Sequence, residues 1–264
     1  MLPFMKTAAQ AKPVKTAKKS TATATDLNAK TFLEMLQDLQ SAKELERIQR
    51  YFKSGEGQYS QEDTFIGVRM GEVFALAKAF TGMPLKEIEK LLENPVHESR
   101  VGAVSIMDFE ARNKKTTEER KKALFDLYIK RHDRINNWDL VDRSAPYVVG
   151  GYLFDKPRDI LYKLARSKNM WERRTAIVST YFFIRQKQVA DTFKIAELLL
   201  KDKEDLIHKA TGGWIREAGR KDPVQLEAFL EKHAATMPRT ALRYALEHCS
   251  PQKKEYYMKL KKAE

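Results

Sequence analysis

Five alanine-centred segments recur at the spacing of a two-helix structural unit, and this periodicity restricts the fold more than any other feature of the chain. They are SRVGAVSIMDF at 99–109, VDRSAPYVV at 141–149, ERRTAIVSTYFF at 172–183, IHKATGGWI at 207–215 and PRTALRYAL at 238–246. Ala103, Ala145, Ala176, Ala210 and Ala241 stand at intervals of 42, 31, 34 and 31 residues, within or close to the range of helical solenoid repeats. Each segment sets a small residue where one helix can cross its neighbour closely, followed by apolar residues that a single helix pair cannot bury. From Thr31 onward apolar residues recur at helical spacing and alternating strand patterns are nearly absent, so the expected fold is all-α, with stacked helix pairs that curve and present a concave face.

The periodicity also sets boundaries. Phe32, Leu33, Leu36 and Leu39, continuing through Leu45 and Ile48 to Tyr51, predict one amphipathic first helix. Ser54 to Asp63, with Gly55 and Gly57, is the clearest loop, and helices resume near Val68. Pro84, Pro95, Pro157, Pro223 and Pro238 mark helix starts, where a missing N–H costs nothing. Residues 28–264 are expected to form a single domain. Residues 1–27, rich in Ala, Thr and Lys, lack the apolar content to order themselves and are expected to be a disordered basic arm.

Charge narrows the partner. The chain holds 49 Lys+Arg against 36 Asp+Glu, a net +13. Residues 1–25 contribute five lysines and no acid, leaving +8 for residues 26–264. A body that basic favours a polyanion through counterion release. The single cysteine, Cys249, excludes an intrachain disulfide and fits a reducing cytosol. No apolar run reaches the ~18–20 residues of a membrane span, so a soluble, cytoplasmic protein is expected. His97, His132, His208, His233 and His248 show no paired ligand spacing, and no metal or cofactor is expected.

All three tryptophans have an ionisable neighbour at helical spacing: Trp138 with Asp142, Trp171 with Arg174, Trp214 with Glu217. The segments NWDLVD, WERRTAIVS and HKATGGW, in that order on a helical-repeat chain, resemble the DNA alkylation repair family, the AlkD-type alkylpurine DNA glycosylases. The resemblance covers roughly residues 30–250 and implies HEAT-like repeats stacked in a curved superhelical solenoid. It also implies a monofunctional, monomeric enzyme that releases N3- or N7-alkylated purines from duplex DNA. Carried over residue by residue, it points to Trp138, Asp142 and Arg174 as catalytic and to Trp214 and Tyr51 as lesion contacts.

The residues fit that chemistry. Trp138 and Asp142 stand at i, i+4, on one helical face, so an indole and a carboxylate can frame one nucleotide. A carboxylate near C1′ stabilises an oxocarbenium-like sugar and orients water, as in glycoside hydrolysis. Arg174 is always charged and either clamps a phosphate or orients Asp142. Asp139 reads as first-turn decoration with Asn136 or Asn137 as the cap, and Trp171 as packing or the lip of the concave face. Arg143 and Arg239, each preceding a small-residue pair as Arg174 does, read equally as a phosphate-contacting stripe or as bridges between repeats. Gly212-Gly213 is expected to let a helix or DNA approach Trp214 closely. Two other functions fit the same repeats: a non-catalytic protein binding branched or distorted DNA, and a scaffold for protein partners.

Overall fold

The computed structural model describes residues 27–52, 58–61 and 63–260. Apart from Leu27, the N-terminal arm expected at 1–27 lies outside the described residues, as do positions 54–57 and 62 of the expected loop. The described residues contain fourteen α-helices: α1 Ala29–Gln37, α2 Ala42–Phe52, α3 Met70–Ala79, α4 Leu85–Glu93, α5 His97–Arg112, α6 Glu118–Lys130, α7 Trp138–Ser144, α8 Asp159–Leu164, α9 Met170–Arg185, α10 Ala190–Leu199, α11 Asp205–Gly219, α12 Pro223–His233, α13 Arg239–Ala245 and α14 Pro251–Lys259. A π-helical segment, Ala145–Gly151, continues α7. Among the described residues the extended pairing is one isolated bridge, Thr64 to Val96.

The helices form two layers. One runs α3, α5, α7 with its π-helical continuation, α9, α11 and α13, each packed on the next. The other is the set of partners behind them: α4 and α6 on α5, α8 on α9, α10 on α9 and α11, and α12 on α11. α14 joins α12 through Lys253–Glu227 (2.9 Å) and the Tyr257 hydroxyl, which donates to Glu231 (2.7 Å). The five repeat alanines are all buried and all lie in the first layer, so the sequence period is the period of helix crossings. The architecture is an all-α helical-repeat fold.

Prolines act as the sequence suggests, with one addition. Pro84 and Pro238 are the N-caps of α4 and α13, and Pro223 opens α12. Pro146 does something else. It has no N–H to give the carbonyl of Asp142, four residues back, and its ring crowds that carbonyl. The α-helix therefore ends at Ser144 and the chain proceeds as π-helix.

The expected single helix from Phe32 to Tyr51 is two helices. Leu39 and Gln40 donate to the carbonyls of Leu36 and Gln37 (3.2 Å each), tightening the last turn of α1, and Ser41 N–H donates to the carbonyl of Gly67 (3.0 Å). Ser41 thus leaves the helix to bind a segment 26 residues away, a contact that local periodicity does not encode. Gly67 permits it: its φ is +83°, and a Cβ there would lie 2.5 Å from the Ser41 carbonyl oxygen. The 66–68 segment is held in turn by the buried Glu98 carboxylate, which accepts from the N–H groups of Ile66 (3.1 Å), Gly67 (2.9 Å) and Val68 (3.3 Å).

Close helix crossings make a contrast within one helix testable. A Cβ on Gly212 would stand 2.3 Å from the Ala241 carbonyl oxygen of α13, whereas one on Gly213 meets nothing within 4 Å. Gly212→Ala is expected to destabilise the fold by about 1–3 kcal/mol through overpacking. Gly213→Ala is expected to stabilise it by about 0.5–1 kcal/mol through helix propensity. Urea unfolding of the two variants beside wild type checks both signs.

Candidate functional site

Helix α2 and helices of the first layer line a cleft of about 580 Å³. Tyr51 and Phe52 of α2, Phe74 of α3, Arg112 of α5, Trp138, Asp142 and Arg143 of α7, Tyr181 of α9 and Trp214 of α11 all border it. Five of the seven residues proposed from sequence, Trp138, Asp142, Trp214, Tyr51 and Arg143, therefore meet in one space.

α7 presents the chemistry. Asn137 caps it, its side-chain oxygen accepting from the Trp138 N–H (2.8 Å), and Trp138 and Asp142 follow one turn apart on the face turned to the cleft. The Trp138 indole stacks on Phe52 (centroids 5.5 Å apart, planes at 18°) and meets the Tyr51 ring edge-on at 5.9 Å. Tyr51 is 49% exposed, so its ring remains available at the cleft mouth. Trp214 packs against Tyr181 at 5.1 Å.

Arg174 resolves the ambiguity left by the sequence. Its Nε and Nη2 donate to the two carboxylate oxygens of Asp142 (2.9 and 2.8 Å), and its Nη1 donates to the carbonyl of Leu206 at the start of α11 (2.7 Å). All three guanidinium nitrogens are engaged and the side chain is 3% exposed, against 23% for Asp142. Three of the five guanidinium N–H groups are spent on these contacts, and burial sets the guanidinium behind Asp142. It holds Asp142 in a two-point grip while the carboxylate keeps an open side toward the cleft.

The three bases that precede small residues do not form one stripe. Arg143 faces the cleft, its guanidinium 3.3 Å from Asp108 and stacked over the rings of Phe74 (4.5 Å) and Phe109 (4.7 Å). Arg174 lies behind Asp142. Arg239 is exposed and bonds the Met258 carbonyl at the end of α14, away from the cleft-lining set. Trp171 also lies outside that set, buried with its ring 6.5 Å from Tyr59.

Several cleft residues escaped the sequence reading. Arg112 shares buried Asp108 with Arg143, at 2.7 Å, and lies over the Tyr147 ring (3.7 Å). Burial pushes the Asp108 carboxyl upward against the pull of Arg143 and Arg112. Arg47 and Arg69 converge on Glu44 at 3.1 Å each. Four cleft arginines thus outnumber the three cleft carboxylates, Glu44, Asp139 and Asp142. Such arginines carry no motif, because their meeting depends on how α2, α3 and α5 are stacked.

Asp139 also does more than decorate a helix turn. Its Oδ1 accepts from the Leu140 N–H (2.9 Å) and its Oδ2 lies 2.8 Å from His97 Nε2. His97 is fully buried, with Nδ1 3.7 Å from Asp63, and Asp63 pairs with Arg100. Burial opposes the charge on His97, but the Asp139 and Asp63 carboxylates outweigh it and raise the imidazole to about 9. Asp63 moves oppositely: burial is overcome by the hydrogen bonds and charges of His97 and Arg100, and its carboxyl is held well below the usual range. Among the described residues no group of three or more His, Cys, Asp or Glu is placed to hold a metal ion, and no helix is long and apolar enough to cross a membrane.

Fold and site together define a helical-repeat protein with an arginine-rich, aromatic-walled cleft built around a clamped carboxylate. The model of the family described as DNA alkylation repair enzyme matches residues 32–249, and the chain belongs to that family. Membership places the protein in the repair of alkylated DNA, with DNA as its partner. The fold is similar to a solved structure described as a predicted DNA alkylation repair enzyme from Enterococcus faecalis, with a TM-score of 0.62 at 17% identity over 80% of this chain and 97% of that one. No curated protein matches the sequence.

The His97 network makes stability depend on pH with a definite sign. An imidazole raised from 6.5 to about 9 in the folded protein contributes stability fully below pH ~6.5 and loses it as pH rises through about 9. His97→Gln should cost about 3–5 kcal/mol at pH 7, the usual penalty for breaking a buried ion pair, and should flatten the fall in stability between pH 7 and 10. Thermal unfolding across that window checks it; equal slopes in the two proteins would contradict the assignment.

Proposed function

We propose that the protein is a monofunctional DNA glycosylase, acting as a monomer and without a cofactor, that hydrolyses the N-glycosidic bond of cationic N3- or N7-alkylated purines in duplex DNA. The observation that carries this reading is the Asp142 carboxylate, open to the cleft on one side, gripped by Arg174 on the other, and one helical turn from the indole of Trp138.

The charge on an alkylated purine has already weakened its bond to the sugar. On departure the base takes the bonding pair and leaves neutral, so no strong acid is required at the leaving group. The positive charge develops at C1′ instead. A fixed carboxylate lowers the energy of that cation without having to reorganise, and orients the water whose oxygen completes the substitution. Trp138, Tyr51 and Trp214 supply π-faces, each worth about 0.5–2 kcal/mol to a nearby cation. Arg143 and Arg112 give the cleft positive charge toward the strand, and Arg239 offers an exposed base on α13 for the same duplex.

Two variants test the roles. Asp142→Asn should lower single-turnover release of 7-methylguanine by about 10²–10³-fold with duplex binding retained. Arg174→Lys loses the two-point grip and should lower it about 10–100-fold, the scale for a displaced catalytic group, with duplex affinity and its salt dependence nearly unchanged. Full activity of Asp142→Asn would refute the mechanism. Salt-dependent DNA binding by wild type with no base released would favour a non-catalytic protein that binds branched or distorted DNA.

A further inference from the structure

Four consecutive residues at the head of α7 are each held by a side chain from a different part of the fold. Asn136 Oδ1 accepts from Arg100. Asn137, fully buried, spends its oxygen on capping Trp138 and donates through Nδ2 to Ser60 Oγ (2.6 Å) and Asp63 Oδ2 (2.7 Å). The Trp138 indole N–H donates to the Tyr59 hydroxyl (3.3 Å), and Asp139 meets His97 at 2.8 Å.

We infer that Tyr59, Ser60, Asp63, His97 and Arg100 form a clamp that positions Trp138 and Asp142 for the reaction. The inference rests on the glycosylase reading for its activity readout, and on geometry alone for its structural one. The need for a clamp is physical. α7 has seven residues and runs directly into the Pro146 π-segment, and a helix this short does not hold its own conformation. Arg174 fixes one end through Asp142. The other end, which carries the Trp138 indole, is held by the Asn137 cap and by partners outside the helix.

Those partners are themselves packed and hydrogen-bonded. Ser60, His97 and Arg100 are buried. Asp63 ties the two groups together, since it bonds Asn137 and Arg100 and faces His97. Tyr59 bridges two tryptophans, its hydroxyl on Trp138 and its ring beside Trp171. The described part of the loop that starts at Ser54 therefore backs the lesion-facing indole from behind, and Trp171 supports the residue that does so. Side chains locked by packing and by their own hydrogen bonds are what a reaction-competent geometry requires.

Tyr59→Phe removes the indole's acceptor but keeps the ring beside Trp171, and Ser60→Ala removes one acceptor of Asn137. Single-turnover release of 7-methylguanine is expected to fall roughly tenfold in Tyr59→Phe and up to about a hundredfold in the double variant, the range for a misplaced reacting group. Duplex Kd should stay within about twofold, because neither residue borders the cleft. Amide exchange at 138–142 should quicken at least about tenfold while α9 is unchanged. Unchanged rates, rate losses matched by lost DNA binding, or unchanged exchange at 138–142 would each overturn the clamp. If the double variant misfolds, Tyr59→Phe alone carries the test. If wild type releases no base, the glycosylase reading fails and amide exchange still decides the clamp.

Discussion

Close approach of successive helices in the first layer is the constraint from which the rest of the structure follows. At several crossings a side chain has been removed or turned inward. A Cβ on Gly150 would stand 2.1 Å from the Ser179 carbonyl oxygen, and one on Gly212 2.3 Å from that of Ala241. Ser144 and Ser179 bond back to the carbonyls of Leu140 and Thr175 in their own helices (2.7 Å each), which satisfies the hydroxyls without a partner across the interface. With the backbones so near, one side chain on α9 spans three helices: Arg174 reaches Asp142 of α7 and the Leu206 carbonyl of α11 together. Wider spacing would leave a guanidinium able to touch one neighbour and a carboxylate free to rotate.

Charge buried between these helices has to be paired, because an unpaired ion in the interior loses its hydration with nothing in return. Glu98 is met by three backbone N–H groups, Glu110 by Arg120 and the Gly82 N–H, and Asp63 by Arg100 and Asn137. Asp142 is treated differently. Its guanidinium partner lies behind it and 23% of its side chain remains exposed. The same strategy that makes the other carboxylates structural leaves this one oriented and still accessible. Asp108 is the intermediate case, fully buried yet shared by two cleft arginines whose stacking on Phe74, Phe109 and Tyr147 keeps them in place.

What was legible in the sequence is what helical geometry converts directly into space. The alanine period became the row of helix crossings, and the i, i+4 relation of Trp138 to Asp142 became a shared face on the cleft. The segments carrying Arg174 and Trp214 were readable because they repeat that pattern one and two units later. Arg143 and Arg239 occupy the same place in their repeats, yet one lies in the last turn of α7 and meets Asp108 of α5 while the other opens α13 and meets the end of α14, so repeat position fixed neither the residue's site on its helix nor its neighbour. The break after α1 depends on Gly67, and the roles of Tyr59, Asp63 and His97 depend on residues 34 to 79 positions away. Long-range contacts of that kind leave no periodic trace, and a loop has no period to read.

The brevity of α7 links these themes. Pro146 ends the α-helical hydrogen bonding at the carbonyl of Asp142, so the helix carrying the clamped carboxylate is little more than the turn that separates it from Trp138. A long helix would bring its own rigidity but would also dictate where its side chains point. A short one, gripped by Arg174 at one end and by Tyr59, Ser60, Asp63, His97 and Arg100 at the other, takes its orientation from the stack around it. On the glycosylase reading that is sufficient for the chemistry. A cationic base departs readily once C1′ is stabilised, so the protein needs neither a strong acid nor a deep pocket, only one carboxylate that does not move while charge develops beside it. The repeat architecture supplies that immobility across several helices rather than within one.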